Sequence, residues 1–87
     1  MNNTMNNIFE LPCLDYHKSF YGKAHVITEN NSKFLRSYDT IVCHIDENNN
    51  FIKDWNDYSA TTMRHINSFR EYYGFPKMSK KEWENME

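Results

Sequence analysis

One alternating segment, Phe34 to Ile45, constrains the fold of this chain more than any other feature. Successive residues of a β-strand point to opposite sides of a sheet, so alternation of apolar and polar side chains predicts a strand with one buried face. One predicted face carries Ile41, Cys43 and Ile45, and the other carries Thr40, Val42 and His44. Such a strand needs partners and a covering layer to bury its apolar face.

The neighbouring segments predict an antiparallel meander. Residues 20–28 are rich in β-branched and aromatic side chains, which favour a second strand. The polar residues at 30–32 and 46–50 suit tight connections, because asparagine and aspartate tolerate left-handed backbone. The chain then returns through residues 51–55. Residues 8–14 contain a proline, which favours an edge strand or an extended arm.

A main helix is predicted over about residues 59–73. Apolar side chains from Met63 to Tyr73 repeat at helical spacing. Ser59 is suited to cap the first turn, and Gly74 stands where a left-handed C-terminal cap belongs.

A short C-terminal helix follows, because Ser79 and Glu82 form a capping-box pattern ahead of Trp83, which we expect to pack back on the body. The fold class is therefore predicted to be α+β, a small antiparallel β-meander of three to four strands packed against one amphipathic helix plus the short one. At 87 residues there is room for a single domain, predicted at residues 8–87 after a polar, disordered lead-in at 1–7.

Composition narrows the classes of function. Ten basic and twelve acidic side chains are mixed along the chain and give a net charge of −2, which argues against direct nucleic-acid binding. The two cysteines, Cys13 and Cys43, lack the spacing of a metal or disulfide framework. No apolar run approaches the roughly 18 residues that span a bilayer. We therefore expect a cytoplasmic protein that is not associated with a membrane and that binds neither a metal nor a cofactor.

The most informative polar cluster lies at the start of the predicted main helix. It combines three hydroxyls, a guanidinium and an imidazole at Ser59, Thr61, Thr62, Arg64 and His65. Backbone N–H groups and the positive end of the helix dipole meet there, which favours an anionic ligand. The alternative is a plain helix cap followed by an exposed polar face.

A second polar group, from Tyr38 to Thr40, interrupts the alternating segment and predicts a bend or bulge. If Tyr38 and Thr40 point toward the helix start, they complete a small polar pocket. The alternative is a purely structural hydrogen-bond network. The predicted ligand-binding residues are Tyr38, Thr40, Ser59, Thr61, Thr62, Arg64 and His65.

No catalytic arrangement is evident. Cys43 and His44 are adjacent, so on a strand their side chains point to opposite faces and cannot pair. The two glycines are too few for a glycine-rich phosphate loop. We expect the protein to act by binding and not as an enzyme.

Three motifs resemble a family of short uncharacterised proteins from phages, plasmids and other mobile elements of Gram-positive bacteria. They lie at residues 35–42, 58–66 and 79–83, with Trp55 between the first two. The family pattern is close to SYxTxVA…W…YSxTTxxHIxxF…G…SKxEW, and the match covers about residues 20–84. Cys43 departs from it, since the pattern usually has a small residue there.

The resemblance implies an accessory protein in a host bacterial cytoplasm and carries no residue roles. The leading expectation is an anti-defence inhibitor of a host protein, for example of the anti-CRISPR type. The alternative is a homo-oligomeric sponge that sequesters a phosphorylated nucleotide signal around Ser59–His65. A homodimer is compatible with both expectations.

Overall fold

Five antiparallel strands form one sheet in the order of the chain. The structure, a computed structural model, describes residues 7–14 and 20–86. The predicted lead-in lies outside these residues except for Asn7, which begins the first strand. The strands are β1 Asn7–Glu10, β2 Ala24–Glu29, β3 Ser32–Ser37, β4 Thr40–Ile45 and β5 Phe51–Lys53. The α+β meander is confirmed, with five strands in place of three to four.

The additional strand comes from a hairpin inside the segment predicted as one strand. Ser37 pairs with Thr40 across a two-residue turn, in which Tyr38 has a φ of 56°. The N–H of Tyr38 donates a hydrogen bond of 2.7 Å to the carbonyl of Lys23, which ties the turn to the preceding loop. The predicted bend is thus a complete reversal of the chain.

A β-bulge in β4 explains why the alternation of apolar and polar residues does not reveal the hairpin. Arg36 pairs with Ile41 but Leu35 pairs with Cys43, so Val42 is an extra residue in its strand. The two-residue turn moves the inward positions from odd to even numbers, and the bulge moves them back. The prediction that Ile41 shares the face of Cys43 is therefore wrong, and Val42 is buried in the core instead.

The main helix, α1, spans Ala60–Tyr72, within the predicted range. The hydroxyl of Ser59 accepts a hydrogen bond of 3.1 Å from the N–H of Thr62, as expected of an N-cap. Gly74 follows with a φ of +87°, the left-handed conformation that ends a helix. The short helix, α2, spans Lys80–Asn85 and begins with the complete capping box of Ser79 and Glu82.

Both helices pack on the same face of the sheet, which we call the inner face. The largest buried side chain is Trp83, whose ring meets Phe51 and whose indole N–H donates to the carbonyl of Asp57 at 2.9 Å. The amino group of Lys53 donates to the Trp83 carbonyl, also at 2.9 Å. The core consists of Leu11, Phe20, Ala24, Val26, Leu35, Val42, Cys43, Ile45, Met63, Ile66, Phe69, Met78 and Trp83.

Replacing Trp83 with alanine tests how far the short helix stabilises the fold. We expect the free energy of unfolding to fall by about 3–5 kcal/mol, because the change removes a fully buried ring and leaves a cavity. Urea unfolding followed by circular dichroism measures the change. The matched control is Lys81→Ala in the same helix, which is exposed and should change stability by less than about 0.5 kcal/mol. A loss below about 1 kcal/mol for Trp83→Ala contradicts the assignment of this ring to the core.

Candidate functional site

A chain of hydrogen bonds connects the start of α1 with β3. The Ser59 hydroxyl donates to Thr62 Oγ1 at 3.0 Å, and Thr62 Oγ1 lies 3.4 Å from Ser37 Oγ. Ser37 Oγ lies 2.7 Å from His65 Nδ1. Ser37, Thr62 and His65 are all buried, so this network is part of the packing between helix and sheet.

His65 is completely buried, but its second ring nitrogen has no hydrogen-bond partner among the described residues. The ring packs edge-on against Phe20, with centroids 4.5 Å apart, and lies 5.7 Å from the ring of Tyr38. Burial, with a smaller contribution from the Arg64 cation, lowers the pKa of His65 to about 4. The imidazole is therefore neutral at physiological pH, and its buried Nε2 is a donor in one tautomer and an acceptor in the other.

A cleft of about 260 Å³ opens beside this imidazole, and we call it the tyrosine cleft. Two cations, Lys23 and Arg64, line it. Arg64 is positioned by Phe20, whose ring centroid lies 5.0 Å from the guanidinium carbon, and by Cys13, whose sulfur accepts an N–H at 3.3 Å. The described lining residues are Phe20, Tyr21, Lys23, Tyr38, Thr61, Arg64 and His65.

Two tyrosines at the mouth of the tyrosine cleft have left-handed backbone. Tyr21 has a φ of 50° and is 70 % exposed, while Tyr38 has a φ of 56° and is 48 % exposed. Such a backbone costs a bulky residue on the order of 1–2 kcal/mol, which glycine would avoid. A hydrogen bond of 2.8 Å from the N–H of Lys23 to the carbonyl of Phe20 closes the turn that contains Tyr21.

A second cleft, of about 290 Å³, adjoins the first, since Lys23 and Tyr38 line both. Its other lining residues include His25 and Arg36. The Nδ1 atom of His25 and the Nε atom of Arg36 are buried and have no partner among the described residues. The two clefts together are lined by Lys23, Arg36, Arg64 and His25, with one carboxylate, that of Asp39, in the second cleft.

The predicted site residues divide into two groups. Tyr38 lies in the tyrosine cleft, as do Thr61, Arg64 and His65. Ser59 and Thr62 belong to the helix cap and the buried network, where they serve the fold.

Thr40 is not among the described lining residues and instead pairs with Ser37 at the hairpin. Sequence reasoning also missed Tyr21 and Lys23. The signal was the Tyr21–Gly22 pair, which occupies the two positive-φ positions of a turn.

Other chemistry is sparse in the described part of the chain. The thiol of Cys43 is buried on the inner face, and burial raises its pKa well above the ordinary value. His44 lies on the opposite face, where its Nδ1 is 2.7 Å from Asp54 Oδ2. Within residues 7–14 and 20–86 no three His, Cys, Asp or Glu side chains group closely enough for a metal ion. No helix in those ranges has the length and apolar character to cross a membrane.

Comparison with known proteins assigns the fold to a family. Residues 9–85 match a family described as a family of unknown function, DUF8033. The chain belongs to DUF8033. The match begins within β1 and ends at the last residue of α2, so DUF8033 covers nearly the whole described sheet and both helices. No curated protein and no solved structure matches this DUF8033 chain.

The burial of His65 predicts a pH-dependent stability. The folded pKa of about 4 lies below the ordinary 6.5, so the unfolded chain takes up the proton first as the pH falls. Neutral His65 contributes its full share to the free energy of unfolding above about pH 6.5. This share decreases between about pH 6.5 and 4 and is lost below about pH 4, a change of roughly 3 kcal/mol.

Urea unfolding at several pH values between about 7 and 4 measures this effect. His65→Gln should have a flatter stability profile than the wild type, because glutamine does not titrate. The control His44→Gln removes an imidazole that is 18 % exposed on the other face of the sheet and should keep the part of the wild-type slope that comes from His65. Identical profiles for wild type and His65→Gln contradict the prediction.

Proposed function

We propose that this protein acts by binding and not by catalysis, and that the tyrosine cleft captures an anionic ligand that carries an aromatic ring. A phosphorylated nucleotide is the simplest ligand of this kind. The observation that supports the proposal is the juxtaposition of Lys23 and Arg64 with the exposed rings of Tyr21 and Tyr38 around one cleft. Cations recognise phosphate and tyrosines stack on a base.

Phosphate recognition would use Arg64, Lys23 and the start of α1. A guanidinium can donate two parallel hydrogen bonds to a phosphate, and Lys23 adds a second charge across the cleft. Ser59 already accepts the N–H groups of Thr62 and Met63, so the helix offers at most those of Ala60 and Thr61. The Thr61 hydroxyl lies beside them in the cleft lining.

Base recognition would use the two tyrosines and His65. Left-handed backbone at a large residue is unfavourable and concentrates at functional sites, which supports a role for the rings themselves. The buried, unpartnered Nε2 of His65 would gain a hydrogen bond from a ligand group that displaces the side chains covering it. A buried polar atom without a partner is costly, so such a bond would stabilise the complex.

A second candidate function is inhibition of a host protein by direct contact. Three of the exposed large hydrophobic side chains among the described residues are tyrosines, namely Tyr21, Tyr38 and Tyr72. Tyrosine is enriched at protein interfaces. This candidate accords with an anti-defence accessory protein of a phage or plasmid that works in the host bacterial cytoplasm.

Native mass spectrometry of gently purified protein tests nucleotide capture, and isothermal titration with a nucleotide panel measures the affinity. We expect Arg64→Ala and Lys23→Ala each to weaken binding by about ten- to a hundredfold, since each removes a charged hydrogen-bond donor. The matched control is Lys81→Ala, which also removes one positive charge but at an exposed position of α2.

The outcomes separate the two candidates. Nucleotide affinity that is unchanged in the Arg64→Ala, Lys23→Ala double variant contradicts the assignment of the ligand to this cleft. Absence of any nucleotide affinity, together with a stoichiometric host protein in the same spectra, favours inhibition.

The strained backbone supports a separate test. Tyr21→Asn places the Asn-Gly pair that such turns prefer at residues 21–22, and we expect it to raise the free energy of unfolding by about 0.5–1 kcal/mol. The same change should weaken nucleotide binding, because the ring is lost. The control is Tyr72→Asn, at an exposed tyrosine within α1 with ordinary helical backbone. This change should not raise the free energy of unfolding. Unchanged affinity in Tyr21→Asn contradicts the stacking role.

A further inference from the structure

Arg36 is a cation that the described fold leaves without a partner. It lies on β3 between the buried residues Leu35 and Ser37, so its side chain is on the sheet face opposite the helices. Its guanidinium forms no hydrogen bond or ion pair with a residue of the described ranges, and its Nε atom is buried. A buried donor without an acceptor is costly, so an acceptor that a ligand supplies would stabilise this group.

His25 lies directly opposite Arg36, on β2, and has the same deficit. Its Nδ1 atom is buried and has no partner among the described residues. The Cβ atoms of directly opposed residues are about 5 Å apart, so the two unsatisfied groups are neighbours. Both side chains line the second cleft, where the ammonium group of Lys23 adds another positive charge.

Two carboxylates lie near these groups without pairing with them. Asp39 lines the second cleft and is exposed, and Glu10 lies on the adjacent β1. Glu10 Oε2 accepts the N–H of Gly22 at 2.9 Å, so the loop backbone holds this carboxylate. Among the described residues neither acid forms an ion pair with Arg36 or Lys23. The N–H donors of both cations are therefore open to an added anion.

The second cleft and the tyrosine cleft lie on opposite sides of the same end of the sheet. Arg64 and His65 of α1 line the tyrosine cleft on the helical side, whereas Arg36 lines the second cleft on the other side. Lys23 and Tyr38 line both clefts, and the N–H of Tyr38 donates to the carbonyl of Lys23 at 2.7 Å. One ligand that passes over these two residues would contact both clefts.

We propose that the second cleft is a phosphate subsite, and that the ligand of the tyrosine cleft carries two phosphate groups separated by a nucleoside. This inference rests on the proposed function and names its class of ligand, a nucleoside bisphosphate or a short oligonucleotide. Arg64 binds one phosphate, Arg36 binds the other, and Lys23 lies at the boundary between them. The two phosphates of a nucleoside diphosphate share an oxygen atom, so both would stay on one side of the sheet.

The donors of the second cleft suit a phosphate better than a carboxylate. A guanidinium donates two parallel hydrogen bonds to two oxygens of one anion, which uses both oxygens of a carboxylate. A phosphate has a further oxygen for Lys23 or for the Nδ1–H tautomer of His25. Because no described residue holds the guanidinium of Arg36, it can turn its buried Nε toward the cleft without breaking a hydrogen bond.

NMR titration of the full chain with inorganic phosphate tests the subsite by itself. Phosphate up to about 50 mM, a range that covers the weak affinity of a single ion, should shift the signal of the Arg36 Nε–H and the ring signals of His25. Asp39→Asn should tighten phosphate binding about two- to fivefold, because it removes the carboxylate that opposes an anion in this cleft. Binding that is weaker in Asp39→Asn, or no shift at Arg36, overturns the subsite.

Isothermal titration with adenine nucleotides tests the two-phosphate ligand, since stacking on tyrosine tolerates every base. Adenosine 3′,5′-bisphosphate or the dinucleotide pApA should bind at least about tenfold more tightly than AMP, because a second phosphate gains charged hydrogen bonds. ADP controls for charge, since its two phosphates are adjacent, and should gain less than about threefold over AMP.

Variants assign the gain to the second cleft. Arg36→Gln should abolish the advantage over AMP and leave the affinity for AMP itself within about twofold. Arg36→Lys keeps the charge but not the paired N–H groups, so it should lose most of the advantage. Lys81→Gln removes a positive charge from an exposed position of α2 and should keep all of it. Circular dichroism confirms that each variant is folded.

The outcomes separate this inference from the proposed function. AMP binding that depends on Arg64, with neither separated-phosphate ligand better than ADP, overturns the second subsite and leaves the proposed function intact. An advantage that persists in both Arg36→Gln and Arg36→Lys overturns the assignment to the second cleft. Absence of affinity for every nucleotide overturns both proposals.

Discussion

The hydrogen bond of 2.7 Å between Ser37 and His65 is the contact on which the arrangement of helix and sheet depends. Both side chains are buried, and a buried hydroxyl or imidazole nitrogen without a partner costs free energy. The packing of apolar side chains also fixes α1 on the inner face, and this bond adds a directional contact that is satisfied in one position only. Because Ser37 ends β3 and is followed at once by the Tyr38 turn, the same bond also places that turn beside the helix start.

The sequence predicted those features that depend on short stretches of chain. Ser59, Gly74 and the Ser79 capping box act within one helical turn, so the helix ends were readable from residue types. The hairpin at Tyr38 was not, because the turn and the bulge at Val42 each change the phase of the alternation and together cancel. Periodicity reports the net phase, and two opposite shifts leave it unchanged.

The candidate site was predictable to a similar extent and for the same reason. Thr61, Arg64 and His65 share one helix, so their proximity follows from helical geometry. Lys23 comes from an earlier loop, and its carbonyl accepts a hydrogen bond of 2.7 Å from the Tyr38 N–H, which holds that loop beside the hairpin. Such a contact depends on strand register, which a single sequence does not specify in advance.

The architecture leaves two parts of the surface outside the helical layer. One helical layer covers a five-stranded sheet on one side, so the molecule has an edge where helix and sheet meet and a second face with no described cover. Polar and charged groups collect at the edge, because the helix start and the Tyr21 and Tyr38 turns lie there and need hydrogen-bond partners. The second face mixes apolar side chains, such as Ile27 and Phe34, with polar ones, such as Glu29 and His44, because no described element packs against it.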